Sequence, residues 1–284
     1  MSFAVDSLFI GILQASPLIL AAIGFTLIYY LNGFINFAYG EGITFGAYFA
    51  SFFNISIGLS FYLAIIPAAI LTGLLSVATY LFIFRPAMQR GIKPSELIIL
   101  SVGLSFVLRY GLILLVGAEN VYLDEPPIEF FTLAGVGATS LQLIALILVA
   151  AFAFNLYWII YHTGFGEKVR GLADNPELAR VCGINPHDVS VKVWFVAGCS
   201  AGLAGIFQGV FALVNPLMGW NLILITVMVS IIGGVGSVRG ALVAAIVAGI
   251  LTAAITLFTK PLYAEVALLS AFILILWRRG ARAV

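Results

Sequence analysis

Length, composition and charge already exclude most classes of protein. Of the 284 residues, 63% are hydrophobic and only 9% are charged, whereas charged residues make up about a quarter of a soluble domain. The chain is therefore predicted to be a multi-pass membrane protein, and its formal net charge of +1 gives no indication of a nucleic-acid partner.

Apolar runs of about 20 residues, the length that a helix needs to cross a bilayer, follow one another along the chain. Glycine-rich or aromatic breaks separate them, a pattern that favours helices over the ten-residue alternation of a β-barrel. The predicted fold class is all-α: a single transmembrane domain over residues 1–284 with eight or nine transmembrane or re-entrant helices. The first run lacks a basic flank and a cleavage site, so it is predicted to be a retained span rather than a signal peptide. The predicted spans are 8–30, 34–57, 61–84, 97–116, 141–160, 193–214, 220–234, 241–258 and 263–277.

The second run, 34–57, is the most polar of these spans. It is predicted to be a broken or closely packed helix, because irregular backbone at membrane depth occurs only where protein or a water-filled cavity covers it. Two topologies remain open: nine crossings with the N-terminus outside, or eight with the N-terminus inside if this segment re-enters. Its interleaved polar and glycine residues are Asn36, Tyr39, Glu41, Thr44, Gly40, Gly42 and Gly46.

Lysine and arginine accumulate in cytoplasmic loops and so indicate the orientation. Eleven of the 13 such residues lie in four places, which fall on one side if every run from residue 61 onward crosses once. These places are the loop 85–96, the stretch 161–192, Arg239 and the tail 278–282. They and the C-terminus are predicted to be cytoplasmic, whereas the acidic loop 117–140, which has no Lys or Arg, is predicted to face outward.

The stretch 161–192 contains a predicted short helix with a signal at each end. Asn175 is a favourable N-cap, Pro176 suits the first helical position, and Gly183 can adopt the left-handed conformation that ends a helix. Asn185 and Pro186 repeat the cap-and-proline signal and open the next helix. A two-turn helix is therefore predicted to project between two spans on the cytoplasmic side.

This short helix has two different faces. Leu178, Val181 and Cys182 recur at the spacing of one apolar face, which is predicted to lie on the rest of the protein. Glu177 and Arg180 belong to the other, charged face.

Two ionisable residues lie deep within apolar runs, Glu41 and Arg109. Each would cost about 2.5–3.5 kcal/mol at the centre of an isolated span, so each is predicted to face protein or water and to have a partner. One hypothesis is that they pair with each other. The alternative, which the flanking glycines favour slightly, is that Glu41 lies at a helix end and accepts backbone N–H bonds from a break at Gly40 and Gly42.

Glycines are also frequent in the later spans. Pairs at four-residue spacing, such as Gly198 with Gly202 and Gly205 with Gly209, predict tight helix packing. The glycine-rich segment 233–237 has two possible interpretations. It is either a non-helical break that exposes backbone groups to a cavity, as in the broken helices of transporters, or a simple cytoplasmic turn.

The sequence contains no catalytic constellation. His162 and His187 stand apart from carboxylate and cysteine clusters and are predicted to be solvated surface residues, and Cys182 and Cys199 lack the neighbours that a metal site requires. There is no G-x-x-x-x-G-K-[ST] phosphate-binding loop, so the chain is predicted not to hydrolyse ATP and to carry no cofactor or metal. Energy for any transport must come from another protein or from an ion gradient.

Three segments resemble one family of transport proteins. RGLADNPELARVCGIN at 170–185 is similar to the cytoplasmic coupling loop of bacterial and archaeal ABC importer permeases, in particular the high-affinity branched-chain amino acid permease family. NFAYGE at 36–41, followed by GAY at 46–48, is similar to that family's first-half motif, and IGGVGSVRGAL at 232–242 is similar to its second-half motif. Together and in this order, the three segments cover both halves of the chain.

The resemblance implies an all-helical permease subunit in the cell (inner) membrane, not itself an enzyme, that translocates branched-chain or related amino acids. The implied partners are a second permease subunit, homologous or identical, two cytoplasmic ATPase subunits and an extracytoplasmic substrate-binding protein. The residues implied in ATPase coupling are Arg170, Ala173, Asp174, Asn175, Glu177, Ala179, Gly183 and Ile184. Those implied in the translocation pathway are Asn36, Tyr39, Glu41, Gly233, Gly234 and Gly236.

Two departures from the family pattern bear on the substrate and the tail. The family usually has His where this chain has Tyr39, and it ends in a basic-proline-glycine phrase where this chain has WRRG at 277–280. Related permeases carry urea, short amides or sugars, so these solutes remain alternatives.

An ion-driven secondary transporter or channel is an alternative from another class, and a membrane scaffold is a third, although it leaves Glu41 unexplained. The cytoplasmic helix favours the importer, because a self-sufficient carrier does not need it.

Overall fold

Helices make up almost all of the computed structural model, which describes residues 11, 13, 15–124, 130–133, 136–234, 236–256 and 258–280. The all-α prediction is confirmed. Two π-helical turns extend the α-helices: Phe52–Ser56 continues α2, and Tyr80–Phe84 joins α3 to α4. The helices are α1 (Ser16–Asn32), α2 (Ala38–Ser51), α3 (Phe61–Thr79), α4 (Arg85–Gln89), α5 (Pro94–Val116), α6 (Ser140–His162), α7 (Gly164–Asp174), α8 (Pro176–Val181), α9 (Pro186–Phe211), α10 (Met218–Gly233), α11 (Val238–Thr256) and α12 (Pro261–Gly280).

A short antiparallel hairpin in the acidic loop was not predicted. Strand β1 (Phe130–Leu133) pairs with β2 (Val136–Thr139), and Phe130 lies opposite Thr139. The hairpin leads directly into α6, because Thr139 is also the N-cap of that helix and its Oγ1 accepts a hydrogen bond from the backbone N–H of Gln142 at 3.3 Å.

The helices have the length and apolarity that a bilayer requires. Within the described residues, five helical segments can cross a membrane, and three shorter helices are also apolar. These observations confirm the prediction of a polytopic membrane protein. The five long segments are Phe61–Gln89, Pro94–Val116, Ser140–His162, Pro186–Phe211 and Val238–Thr256, and the shorter ones are Ser16–Asn32, Met218–Gly233 and Tyr263–Leu274.

Contacts at the two ends of α1 and α2 decide between the two topologies. At one end, Trp194 on α9 donates its indole N–H to Asn32 at 3.0 Å, which places the last turn of α1 beside the first turns of α9. At the other end, the backbone N–H of Asp124 donates to Asn54 at 2.7 Å, just beyond α2. Helix α2 therefore crosses the bundle, and the re-entrant alternative with eight crossings is wrong.

We call the end of the bundle that carries α4, α7 and α8, with Arg85, Arg90 and Lys93, the basic end. The excess of Lys and Arg places this end in the cytoplasm. Helix α11 leaves the basic end and α12 runs back toward it, whereas the predicted cytoplasmic C-terminus itself lies outside the described residues.

Helix α9 is the centre of the bundle and packs against α1, α2 and α3. The close approach depends on glycine: a Cβ on Gly205 would lie 1.8 Å from the carbonyl oxygen of Ile43, and one on Gly46 would lie 2.4 Å from Cα of Gly202. Helix α2 also continues through Gly40 and Gly42 without interruption. Of the two forms predicted for this segment, the closely packed helix is confirmed and the broken helix is wrong, because its glycines serve contact between backbones.

Candidate functional site

The predicted caps of the short cytoplasmic helix α8 are confirmed. The side-chain oxygen of Asn175 accepts hydrogen bonds from the backbone N–H groups of Glu177 at 3.1 Å and Leu178 at 2.9 Å. After the helix, Gly183 has a φ of +82°, which places it in the left-handed region, and the N–H of Ile184 closes the turn on the carbonyl of Ala179 at 3.0 Å. Both ends of α8 are thus fixed by local chemistry.

The orientation of α8 differs from the prediction. Ala179 is the residue that packs against the protein, with 4% of its surface exposed, whereas Leu178 is 60% exposed and Val181 is 84% exposed. The predicted burial of the Leu178, Val181 and Cys182 face is therefore wrong. The small side chain of Ala179 meets the bundle, and the larger apolar ones of Leu178 and Val181 point away from it.

Two of the predicted coupling residues, Arg170 and Asp174, make contacts with the membrane helices. The hydroxyl of Tyr30, in the last turn of α1, donates to Asp174 at 3.4 Å. Arg170 donates to the carbonyl of Ile160 at the end of α6, and its guanidinium lies 6.0 Å from the ring centre of Tyr161. The segment that holds α8 is therefore tied to both α1 and α6.

The remaining predicted coupling residues lie around these contacts. Ala173 is half-buried on α7, and Glu177 is exposed at the start of α8. All eight predicted coupling residues belong to one continuous segment at the basic end. Tyr30 was not predicted as part of this site, because the sequence offers no signal for a contact between residues so far apart.

A second polar site lies inside the bundle, where Glu41 and Arg109 form an ion pair. Oε1 of Glu41 accepts a hydrogen bond from Arg109 and another from Ser105 at 2.7 Å. Glu41 is completely buried and Arg109 is 4% exposed. The pairing hypothesis is confirmed, and the helix-end alternative is wrong because α2 is not interrupted at the flanking glycines.

The surroundings of this pair explain how a charge is held there. Ser105 lies one turn before Arg109 on α5 and also accepts from its guanidinium at 3.2 Å. The ring centre of Trp220 lies 4.7 Å from the guanidinium carbon. Within the described part of the chain, Oε2 of Glu41 and Nε of Arg109 have no hydrogen-bond partner. Ser105 could have been found from its four-residue spacing to Arg109, whereas no sequence signal points to Trp220.

Asn36 and Tyr39 lie elsewhere. Both are buried, and both line a small cavity of about 20 Å³ next to Trp194. Tyr39 points toward α1, where a Cβ on Gly24 would lie 2.3 Å from its hydroxyl oxygen. Residues two apart on a helix do not face each other, so Tyr39 and Glu41 do not share a site.

The glycine-rich segment between α10 and α11 is a turn at the basic end. Gly234 and Gly236 have φ angles of +102° and +79°. A Cβ on Gly240 would lie 1.6 Å from the carbonyl oxygen of Gly233, and one on Gly236 would lie 2.2 Å from the ring of Tyr30. Of the two interpretations of this segment, the turn is confirmed and the break inside a span is wrong. The residues predicted for the translocation pathway therefore occupy three separate places.

Known proteins resemble the chain over most of its length. The family model described as branched-chain amino acid transport system / permease component matches residues 7–277. No solved structure matches the chain.

Several curated relatives are named as permease proteins, most of them for branched-chain amino acid transport. The probable branched-chain amino acid transport permease protein LivH of Methanocaldococcus jannaschii is 27% identical over 87% of this chain and 80% of its own length. The high-affinity branched-chain amino acid transport system permease protein LivH of Escherichia coli K12 is 25% identical over 96% of this chain and 93% of its own length. The ribose import permease protein RbsC of Escherichia coli K12 is 24% identical over 96% of this chain and 85% of its own length. The chain is a multi-pass membrane protein that belongs to the family of permease components of branched-chain amino acid transport systems.

Proposed function

We propose that this permease is the translocation subunit of an ATP-driven importer for branched-chain or related amino acids. An extracytoplasmic binding protein would deliver the substrate, and a second permease subunit would complete the pathway. Two cytoplasmic ATPase subunits would supply the energy, since the sequence has no phosphate-binding loop.

The observation that carries this proposal is the outward apolar face of α8. An exposed leucine and valine on a capped helix at the cytoplasmic end form a small hydrophobic anchor of the kind that inserts into a partner's groove. Glu177 and Arg180 are exposed beside them, as expected of a polar rim around such an anchor. The surface supports an ATPase as the partner because it lies on the cytoplasmic side.

The contacts behind α8 support a mechanical role. Arg170 and Asp174 connect the segment to α6 and α1, and Asn185, three residues after Cys182, caps α9. A displacement of α8 by an ATPase would therefore reach three membrane helices through hydrogen bonds and one short turn. Rigid-body movement of packed helices is an established way to transmit such a displacement.

Purification and uptake test the proposal together. The permease extracted in mild detergent should bring down a nucleotide-hydrolysing subunit, and membrane vesicles should take up leucine only when ATP and the binding protein are present. Ribose and urea are the competing solutes to include, since one relative is named for ribose import and related permeases are expected to carry urea. Uptake that ignores ATP and follows an ion gradient would contradict the importer and favour a secondary transporter.

A substitution on α8 tests the docking face directly. Leu178→Asp should lower the amount of co-purified ATPase by about tenfold or more, because anchors in a buried interface often contribute 2 kcal/mol or more. Leu217→Asp is the matched control: Leu217 is 51% exposed at the opposite end of the bundle. Equal loss of the ATPase in both variants would contradict the assignment of the docking face to α8.

A further inference from the structure

A cavity of about 470 Å³ opens at the basic end, beside α8. Its size is within the range of about 300–1,000 Å³ that is usual for small-molecule sites. The outward residues Leu178 and Val181 do not line it, and neither do Glu41 and Arg109 of the buried ion pair. The residues that carry the argument below are Leu31 on α1, Arg85 and Met88 on α4, Leu172 on α7, Arg180 on α8 and His187 on α9.

Two arginines and a histidine from three different elements meet at this cavity. Arg85 and Arg180 both line it, and within the described residues neither guanidinium has a carboxylate at ion-pair distance. Nδ1 of His187 is buried and has no hydrogen-bond partner in the described part of the chain. Arginine side chains of this kind are well suited to bidentate binding of a carboxylate or a phosphate.

Two of the neighbouring acidic side chains have hydrogen-bond partners in the protein. Asp174 accepts from the hydroxyl of Tyr30 at 3.4 Å, and Asp188 accepts from the side-chain amide of Asn185 at 3.0 Å. No aspartate or glutamate of the described chain lines the cavity. A ligand with an ammonium group would therefore find no counter-charge, whereas an anion would find two arginines.

Apolar side chains complete the lining. Leu31, Met88 and Leu172 surround the cavity beside the arginines. We propose that this cavity is a cytoplasmic binding site for a small organic anion that has a carboxylate and an aliphatic body. The carboxylate is held between Arg85 and Arg180, and the aliphatic body packs against Leu31, Met88 and Leu172.

Binding at this site would have a consequence for α8. Arg180 belongs to α8 and Arg85 to α4, so a ligand between them connects the short helix to the membrane bundle. The bound anion would restrain α8 and lower the rate of ATP-driven uptake. This consequence rests on the proposed function, whereas binding itself does not.

Calorimetric titration of the purified permease tests binding. The protein, with whatever subunits it retains, is placed in nanodiscs of neutral lipid and titrated with 4-methylpentanoate, leucine or inorganic phosphate. Leucine is 4-methylpentanoate with an added amino group, so it should bind at least about tenfold more weakly, because its ammonium would be unpaired. Equal binding of leucine, equal binding of phosphate, or no binding of 4-methylpentanoate would each overturn the proposed ligand class.

Anionic lipid is the other source of such a head group. If nanodiscs with phosphatidylglycerol abolish the binding of 4-methylpentanoate, a lipid head group occupies the cavity and the soluble ligand is overturned. Unchanged binding supports the soluble ligand. Because calorimetry requires no transport, a failure of this site leaves the importer proposal intact. In the same way, a failure of the importer proposal leaves binding at this site intact.

Substitutions locate the site on the protein. Arg85→Gln and Arg180→Gln should each weaken 4-methylpentanoate binding by about tenfold or more, since each removes a charge-assisted hydrogen bond. Arg90→Gln is the matched control, because Arg90 is exposed five residues away and does not line the cavity. Arg85→Lys, which keeps the charge and loses the bidentate geometry, should give intermediate binding if Arg85→Gln fails to fold. Binding at the wild-type level in either folded Arg85 variant would overturn the site.

Discussion

The carboxylate of Glu41 is completely buried, and one of its oxygens accepts hydrogen bonds from both Arg109 and Ser105. A buried ion pair requires both partners, because removal of one leaves an uncompensated charge that costs about 3–5 kcal/mol. Removal of both charges at once is often nearly neutral. The two residues should therefore behave as a unit.

A double-mutant cycle tests this unit. Glu41→Gln and Arg109→Met should each lower the thermal stability of the purified permease strongly, and the double variant should recover most of the loss. Lys260→Gln provides the control, since Lys260 is the other cation that lies away from the basic end and its side chain is exposed. If the double variant is no more stable than the less stable of the two single variants, the two side chains do not act as a pair.

Sequence alone could identify these two residues but could not choose between their possible partners. A charge within an apolar run is recognisable because its insertion is costly. The partner is 68 residues away, and the choice between pairing and a helix end depended on whether the glycines at 40 and 42 interrupt α2. The structure shows that those glycines allow close packing. From sequence alone, a glycine-rich span can be either a closely packed helix or a broken one.

Gly183 carries a prediction of its own. Valine at this position should cost about 1–2 kcal/mol, because side chains with a Cβ are strained in the left-handed region, and the end of α8 should shift. Gly183→Val should therefore uncouple ATP hydrolysis from uptake, measured together in vesicles, while the permease remains inserted. Gly58→Val has the same kind of strain, with a φ of +79°, but lies at the opposite end. Normal coupling in Gly183→Val, or equal uncoupling in both variants, would remove the role of this turn.

At the scale of elements, glycines bring the backbones of α2 and α9 into direct contact. Gly205→Ala should destabilise the permease by about 1–3 kcal/mol or more, because the added methyl group meets a backbone carbonyl that cannot rotate away. Gly103→Ala is the control: nothing lies within 4 Å of a Cβ at this position, so that variant should be neutral or slightly more stable. Thermal unfolding midpoints of the two variants measure the difference, and equal midpoints would contradict the tight contact.

The elements differ in how well the sequence predicted them. The caps of α8 and α9 were predictable because Asn175, Pro176 and Asn185 act on neighbouring backbone groups. The packing glycines were predictable from their four-residue spacing. The direction in which α8 turns its apolar face was not predictable, because a two-faced helix can bury its apolar side in its own chain or offer it to a partner.

At the scale of the whole molecule, the charge count predicted which end is cytoplasmic but not the number of crossings. The count covers only the runs from residue 61 onward, so it does not constrain α1 and α2. Two contacts between distant parts of the chain, Trp194 with Asn32 and Asp124 with Asn54, supply the missing information.

Cysteine labelling tests this topology. The native Cys182 is exposed and should react with a membrane-impermeant maleimide only from the cytoplasmic side. In a Cys182→Ser background, Gly33→Cys should react from the same side, because the nine-crossing arrangement places the turn between α1 and α2 in the cytoplasm. Reaction of Gly33→Cys from the outside would restore the arrangement in which α2 re-enters.

The position of α9 has a consequence for the size of any movement. With 26 residues, this helix is about 39 Å long at ~1.5 Å per residue, so a tilt of about 5° at its cytoplasmic base would move its far end by about 3 Å. Because its contact with α2 is glycine on backbone, α2 would follow, and α2 carries Glu41. Arg109 is on α5, outside this contact. The ion pair would then connect the moving helix α2 to α5, and its strength would limit how far α2 can move relative to α5.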